Sequence, residues 1–162
     1  NGLLPFCIGQ DSNFMIGEHH RQIAKMLESI ISGKSKRVII NMPPRHGKSY
    51  LCNYFFPLWV LGKFPTKSII SVSYSQELAM DFGRKIRNHM DQDVFQKAFP
   101  GVTLSKDSKS AAKFSTNKGG DYFALGAGGS ITGRGADLII MDDLIKNHQE
   151  ARSRTSHDFL RK

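Results

Sequence analysis

Two short segments hold the side chains best suited to chemistry, Gly47-Lys48-Ser49 and Asp142-Asp143. A lysine ammonium, a serine hydroxyl and carboxylates are the groups with which proteins hold phosphate oxygens and a hard divalent cation. The first segment comes soon after residues 37–41, whose centre is apolar and β-branched. The order predicts a buried strand over 37–41, a loop over 42–47 and a helix that begins at Lys48.

Strand, loop and helix in this order are the layout of a Walker A phosphate-binding loop. Backbone N–H groups at a helix N-terminus form a positive concavity that suits phosphate oxygens. We expect Lys48 to reach the β- and γ-phosphates of ATP, and the Ser49 hydroxyl to ligate Mg²⁺. The expected nucleotide-binding residues of this segment are Pro44, Arg45, His46, Gly47, Lys48 and Ser49.

One position departs from the standard pattern GxxxxGK[ST], because Met42 stands where the first glycine is expected. An ordinary glycine-capped turn is therefore the alternative interpretation. The β-branched segment before the loop, and the stiffening of the loop by Pro43 and Pro44, favour phosphate binding. Arg45 either bridges the β- and γ-phosphates during catalysis or is a solvated loop side chain.

The second segment ends an apolar stretch, residues 138–141, which predicts a buried strand. Burying a carboxylate costs free energy unless a cation or hydrogen-bond donors are present. We expect Asp142 to hold Mg²⁺ through water or Ser49, and Asp143 to activate the attacking water, as at a Walker B site. The alternative is a pair of acids that caps a loop. The order of the two segments and the second acid favour a nucleotide-hydrolysing protein.

Three further residues are candidates for the same site. Arg134 lies between Gly133 and Gly135, and is either an arginine finger that enters a neighbouring subunit's site or a basic loop residue. His20 and Gln22, early in the first predicted helix, either read the adenine edge or are solvated. The histidines show no HExxH or other metal-binding spacing.

The elements that must position these residues alternate between strands and helices, which predicts an α/β fold with a mainly parallel sheet. Helices are expected over 18–32, from Lys48 with a kink or split at Pro57, after an N-cap at Ser75, and from Asn147 or His148. Strands are expected over 37–41, 68–74 and 138–141, with an antiparallel hairpin made by 112–116 and 122–125. Three segments are expected to lack regular structure: 1–17, the Ser/Lys-rich 105–113, which we interpret as a mobile loop, and the glycine-rich 126–135.

Length and composition limit the class of protein. The 162 residues fit one domain, 1–162, and the formal net charge of +9 indicates either a nucleic-acid partner or simply a basic surface. Cys7 and Cys52 are isolated, so neither a zinc site nor a disulfide framework is indicated. The longest apolar run, 55–61, is too short to span a membrane. Because the sequence opens without Met and stops within a predicted helix, we expect a piece of a longer protein.

Three segments together resemble the large terminase subunit of tailed phages: 37–49, 73–79 and 133–147. The resemblance extends from about residue 18 to the end, and terminase loops often lack the first Walker A glycine. It implies a three-layer P-loop NTPase fold with helices on both faces of the sheet, and the N-terminal ATPase half of the subunit. The other half of such proteins is an RNase H-like nuclease, so nuclease activity is expected only in the full-length protein.

The resemblance also implies partners and residue roles. Terminases pump double-stranded DNA into a prohead as a homo-oligomeric ring, together with a portal protein and a small terminase subunit, in the cytoplasm of an infected or lysogenic bacterium. The isolated chain is expected to be a monomer. Lys48, Ser49 and Asp142 match nucleotide and Mg²⁺ residues, and Asp143 stands where many members carry a catalytic Glu. Residues 45 and 134 match proposed cis and trans arginine fingers, and His20 falls near an adenine-contacting position.

Two other functions fit the same motifs. One is a DNA-dependent ATPase of the helicase or remodelling kind, which shares both phosphate-site signatures. The other is a nucleotide-binding assembly module that does not hydrolyse ATP.

Overall fold

The structure, a computed structural model, describes residues 2–129 and 135–144 of the chain. The helices are α1 (Leu3–Gln10), α2 (Glu18–Ile31), a π-helical segment (Tyr50–Phe55), α3 (Phe56–Lys63), α4 (Gln76–Met90) and α5 (Asp93–Ala98). The strands are β1 (Ile69–Ser73), β2 (Leu104–Lys109), β3 (Lys113–Thr116), β4 (Asp121–Gly126) and β5 (Leu138–Asp142).

One mixed sheet organises the fold, with the strand order β2-β3-β4-β1-β5. Strand β1 lies between β4 and β5 and is parallel to both, whereas β3 is antiparallel to β2 and β4. The predicted α/β class, with a mainly parallel sheet and an antiparallel hairpin, is confirmed. Because Ser73 pairs with Asp142 in register, the carboxyl ends of β1 and β5 meet at one edge of the sheet.

The main hydrophobic core lies on one face of the sheet. Side chains that alternate along the strands, such as Ile69, Tyr122 and Leu138, pack there against buried residues from all the α-helices and the π-helical segment. The other face carries a small cluster of Ile70, Val72 and Phe123. Within the described residues, helices therefore cover one face, and a helical layer on the second face stays a prediction.

The helices follow the predicted hydrophobic periods. Helix α2 buries Ile23, Ala24 and Leu27 on one side, close to the predicted span 18–32. Helix α4 begins after Ser75, whose hydroxyl accepts a hydrogen bond from the Leu78 N–H, so the predicted N-cap is confirmed.

Several local predictions were wrong. Residues 37–41 form no strand, because they make no ladder hydrogen bonds with the part of the chain that the structure describes, and Ile39 is 86% exposed. The expected irregular lead-in contains α1, whose Leu3 and Cys7 are buried. The expected loop 105–113 contains most of β2, since pairing with β3 holds a polar sequence in a strand.

The helix after the loop is continuous at Pro57 but changes type beside it. The π-helical segment ends at Phe55, and Pro57 lies in the first turn of α3, directly after that change. Among the described residues, no helix is both long and apolar enough to cross a membrane. Arg134 and the helix predicted from Asn147 or His148 lie outside the described residues.

Candidate functional site

The loop 42–47 carries unusual backbone conformations next to its candidate residues. Gly47 has a φ of 78°, which glycine adopts freely. Arg45 has a φ of 63° and Asp143, after β5, a φ of 45°, and positive φ is uncommon for residues with a side chain. Backbone strain of this kind is concentrated at functional sites. Arg45 lies in the loop that leads into Gly47-Lys48-Ser49, and Asp143 belongs to the second segment that the sequence singles out.

The loop and β5 meet through the ammonium group of Lys48. Its Nζ lies 2.8 Å from Oδ1 of Asp142 and 3.3 Å from Oδ1 of Asp143. The hydrogen bond to Asp142 is the main cause that raises the pKa of Lys48 above its usual value, against a smaller opposing effect of burial. The structure therefore brings Lys48 into contact with two adjacent acids that lie more than 90 positions further along the chain.

The carboxylate of Asp142 is bound on both of its oxygens. Oδ1 accepts from Lys48, while Oδ2 accepts from the Ser49 hydroxyl at 2.7 Å and from Nδ2 of Asn53 at 2.6 Å. Only 13% of the Asp142 side chain is exposed, against 66% for Asp143. Asp142 is thus held by several donors, whereas Asp143 contacts Lys48 from the solvent side.

Asn53 is a site residue that the sequence analysis missed. It lies in the π-helical segment, four positions after Ser49, is 1% exposed, and contacts Asp142 through its side-chain amide. Its Oδ1 is buried with no hydrogen-bond partner among the described residues. A lone asparagine in the otherwise largely apolar segment 51–61 was the available signal, because a buried amide requires a partner. Single π-helical turns also occur often at functional sites.

A cavity of about 420 Å³ opens beside the loop, within the size range of ligand sites. Its lining includes Lys48, Ser49 and Asp143, together with Met42, Pro43, Pro44, Arg45, Gly47 and Tyr50. The side chains of Pro44, Arg45 and His46 are exposed, and His46 Nδ1 donates to the Pro44 carbonyl oxygen at 2.8 Å. A smaller cavity of about 120 Å³ lies behind Lys48, between β5 and residues 38–40.

His20 and Gln22 lie in different surroundings, one buried and the other exposed. His20 is 7% exposed, and its ring nitrogens contact Gly17 N–H and the His46 carbonyl oxygen, each at 3.0 Å. Gln22 is exposed on α2, where it lines a different cavity with His19 and Ile39. Burial is the first cause that lowers the pKa of His20.

The oxygen donors of this site fit a magnesium ion. Ser49 Oγ and the Asp142 carboxylate are adjacent hard oxygen ligands, and Mg²⁺ in phosphate sites usually takes one or two carboxylates besides water and substrate oxygens. Within residues 2–129 and 135–144, no group of three or more His, Cys, Asp or Glu residues could hold a metal by itself.

The fold and site define an α/β domain in which a loop and a strand end bring a lysine, a serine and an aspartate into contact. A family model described as "Terminase large subunit, T4likevirus-type, N-terminal" matches residues 39–160, well over half of the chain. The chain belongs to this family, and the resemblance to terminases is confirmed. Comparison with curated proteins and with solved structures gave no match.

Family membership indicates a role in packaging phage DNA, with DNA and the packaging machinery as partners in general terms. Terminase large subunits are generally ATPases and nucleases. The matched span includes the loop 42–47 and Asp142-Asp143, so both chemical segments fall inside the family region. Residues 17–22, which include His20, precede it.

Proposed function

We propose that this chain hydrolyses ATP in a Mg²⁺-dependent reaction and that this hydrolysis drives double-stranded viral DNA into a prohead. The proposed partners are the portal protein, the small terminase subunit and further copies of the chain in a ring, within the cytoplasm of an infected bacterium. Family membership supports the packaging role. The chemistry is supported by the contacts of Lys48, Ser49 and Asp142.

The observation that carries the proposal is the convergence of a hydroxyl and an ammonium group on one carboxylate, that of Asp142. Ser49 Oγ lies 2.7 Å and Lys48 Nζ 2.8 Å from the two oxygens of Asp142. A hydroxyl and a carboxylate in contact provide two protein ligands for Mg²⁺, and a neighbouring ammonium provides the cation for phosphate. Loop amides at a helix start provide further donors to phosphate oxygens.

In the proposed reaction, Lys48 exchanges its carboxylate partners for the β- and γ-phosphates of ATP. Asp142 and Ser49 would hold the metal, and its positive charge would neutralise the charge that develops on the phosphate oxygens. Asp143 is mostly exposed and not held on both oxygens, so its carboxylate is available to orient the attacking water. Arg45, which also lines the cavity, is the proposed cis arginine finger, and Arg134 the trans one.

The primary test replaces Lys48 by Ala and measures ATP turnover and ATP binding in the presence of Mg²⁺. We expect the turnover to be abolished and the binding weakened, because the substitution removes the cation from the β- and γ-phosphates. Lys118→Ala, in the exposed turn between β3 and β4, is a matched control that removes the same charge away from the site. Near-normal hydrolysis by Lys48→Ala would contradict the proposal.

The same assay distinguishes the two alternative functions. Tight ATP binding without phosphate release, even with DNA and partner subunits present, would favour a nucleotide-binding assembly module. DNA-stimulated hydrolysis accompanied by strand separation would favour a helicase.

A further inference from the structure

The ring of His20 lies between the start of α2 and the loop 42–47, and backbone groups occupy both of its nitrogens. The Gly17 N–H donates to Nδ1 at 3.0 Å, and Nε2 lies 3.0 Å from the carbonyl oxygen of His46. A ring nitrogen that accepts a hydrogen bond from a backbone N–H carries no proton. The proton of the neutral ring is therefore on Nε2, which donates to the His46 carbonyl.

This hydrogen bond fixes the orientation of one peptide unit in the loop. The carbonyl of His46 and the N–H of Gly47 belong to the same planar trans peptide, so they point in opposite directions. Holding the carbonyl toward His20 turns the Gly47 N–H away from it. Gly47 lines the cavity of about 420 Å³ beside the loop, whereas His20 does not. The geometry therefore directs a loop amide away from the histidine and toward the side that carries the cavity.

The loop also packs directly on the ring. A Cβ added to Gly47 would come within 2.7 Å of the His20 Nε2, and the φ of 78° at Gly47 already favours glycine. Burial, followed by the charge of His19, lowers the pKa of His20, which keeps the ring in the neutral form that can both accept and donate. The rings of His19 and Phe14 pack against it, with centroids 4.0 and 5.2 Å away.

We propose that His20 is a positioning residue for phosphate binding. Its Nε2–H holds the His46–Gly47 peptide so that the Gly47 N–H faces a phosphate group, and both ring nitrogens are engaged by backbone groups rather than by a base. The inference rests on the proposed function, because it assigns a role within the same nucleotide site. A base-reading residue would affect the binding only of ligands that carry a base. A residue that positions the loop should affect the binding of the phosphates whether or not a base is attached.

The test compares ATP with inorganic tripolyphosphate, which carries the phosphates without a base. Binding of each, with Mg²⁺, is measured by titration calorimetry for the unmodified chain, His20→Ala, His20→Gln and the control Lys25→Ala on the exposed side of α2. We expect His20→Ala to weaken both ligands by the same factor, about tenfold, since a carbonyl in the loop loses its donor. His20→Gln should recover most of the affinity, because its amide N–H can replace the Nε2 donor.

The outcomes separate the inference from the proposed function. Weakening of ATP alone, with tripolyphosphate unaffected, would identify His20 as a base-reading residue and overturn the inference, as would unchanged binding of both ligands. If the unmodified chain binds neither ligand, the proposed function itself fails. A measurement without any substitution is ¹⁵N NMR of the histidine rings. We expect His20 in the Nε2–H tautomer, and an Nδ1–H tautomer would overturn the inference even if His20→Ala does not fold.

Discussion

The donors that converge on Asp142 make its carboxylate a different group from that of Asp143, although the two are adjacent in sequence. Asp142 accepts from Lys48, Ser49 and Asn53, whereas Asp143 has a single ion pair and a mostly exposed side chain. A carboxylate held on both oxygens is suited to placing a metal ion. One that keeps an exposed oxygen is suited to accepting a proton or orienting water.

This difference predicts separable effects of two isosteric substitutions. Asp142→Asn should weaken Mg²⁺-dependent ATP binding, because it removes the negative charge of the proposed metal ligand. Asp143→Asn should leave binding largely intact and lower the turnover by on the order of a hundredfold or more, as expected for loss of a general base or water-orienting group. Binding and single-turnover measurements on each variant provide the check. Equal impairment of binding by both would contradict the assigned roles.

Asn53 gives a second prediction at the residue scale. Asn53→Ala removes one of the two donors to Asp142 Oδ2, so the carboxylate is less firmly oriented toward Ser49. We expect the Mg²⁺ concentration needed for half-maximal ATP binding to rise several-fold, while ATP binding without Mg²⁺ changes little. Ser73→Ala is the matched control, because Ser73 pairs with Asp142 in register but its hydroxyl has no partner among the described residues. An unchanged Mg²⁺ dependence in Asn53→Ala would show that Ser49 and Lys48 suffice to orient Asp142.

At the scale of elements, the predictions succeeded where a local pattern decides the structure. Strands β1 and β5 come from short apolar runs, and Ser75 caps α4 through its own sequence neighbours. The predictions failed where the pairing of one strand with another decides the structure. The polar sequence of β2 is held in a strand by β3, and the β-branched residues 38–40 have no paired strand beside them in the described structure.

The candidate site divides in the same way. Lys48, Ser49 and Asp142 were identified because a loop before a helix and the end of a strand have recognisable sequence patterns. Asn53 and the loop contact of His20 were not, since each depends on a contact between segments far apart in the chain. Spacing along a sequence carries little information about such contacts.

A buried hydrogen-bond network joins three helical elements away from the site. His89 of α4 donates from Nε2 to Oε1 of Gln10 in α1 at 2.9 Å, and its Nδ1 accepts from the hydroxyl of Tyr54 in the π-helical segment. Burial lowers the pKa of His89 below its ordinary value of 6.5 and raises that of Tyr54. A protonated His89 could not accept from Tyr54, so the network requires the neutral ring.

The network predicts that stability decreases in mild acid. Below pH 6.5 the unfolded chain binds a proton at His89 that the folded chain still excludes, so the free energy of unfolding falls as the pH is lowered toward the depressed folded pKa. Above pH 6.5 this histidine adds no pH dependence. The check is the free energy of unfolding in urea, measured from about pH 5 to about pH 8, the range in which histidine titrates. The pKa of His20 is also lowered, so His20 adds a pH dependence of the same sign. The quantity to compare is therefore the pH dependence of the free energy of unfolding in the unmodified chain and in His89→Gln. Equal pH slopes in the two proteins would contradict the prediction.

At the scale of the whole molecule, the described structure leaves one side of the sheet thinly covered next to the site. Ile139 and Met141 of β5 are 50% and 65% exposed, on the face opposite the main core. The carboxylates that end β5 therefore lie at the border between a well-packed core and an exposed apolar surface. The net charge of +9 is consistent with the polyanionic partner that the family implies.

The last prediction concerns assembly: the isolated chain should be a poor ATPase. The γ-phosphate carries charge that must be stabilised as it leaves, and an arginine finger contributes a factor of roughly a thousand or more. Arg45 can act in its own subunit, whereas Arg134 is the candidate that acts on a neighbour. A dilute monomer lacks that neighbour. Its turnover per chain should therefore be low, and should rise with protein concentration or on a portal ring.

Mixing two inactive variants, Arg134→Ala and Lys48→Ala, tests the trans role directly. Under conditions in which subunits associate, some interfaces pair the intact loop of one variant with the intact Arg134 of the other, and turnover should partly return. The unmixed variants at the same total concentration are the controls, and light scattering verifies association. If the associated mixture stays as inactive as its components, Arg134 does not act in trans. Flanked by Gly133 and Gly135, it would then belong to a segment whose role is to lead the chain into β5 and place Asp142 opposite Lys48.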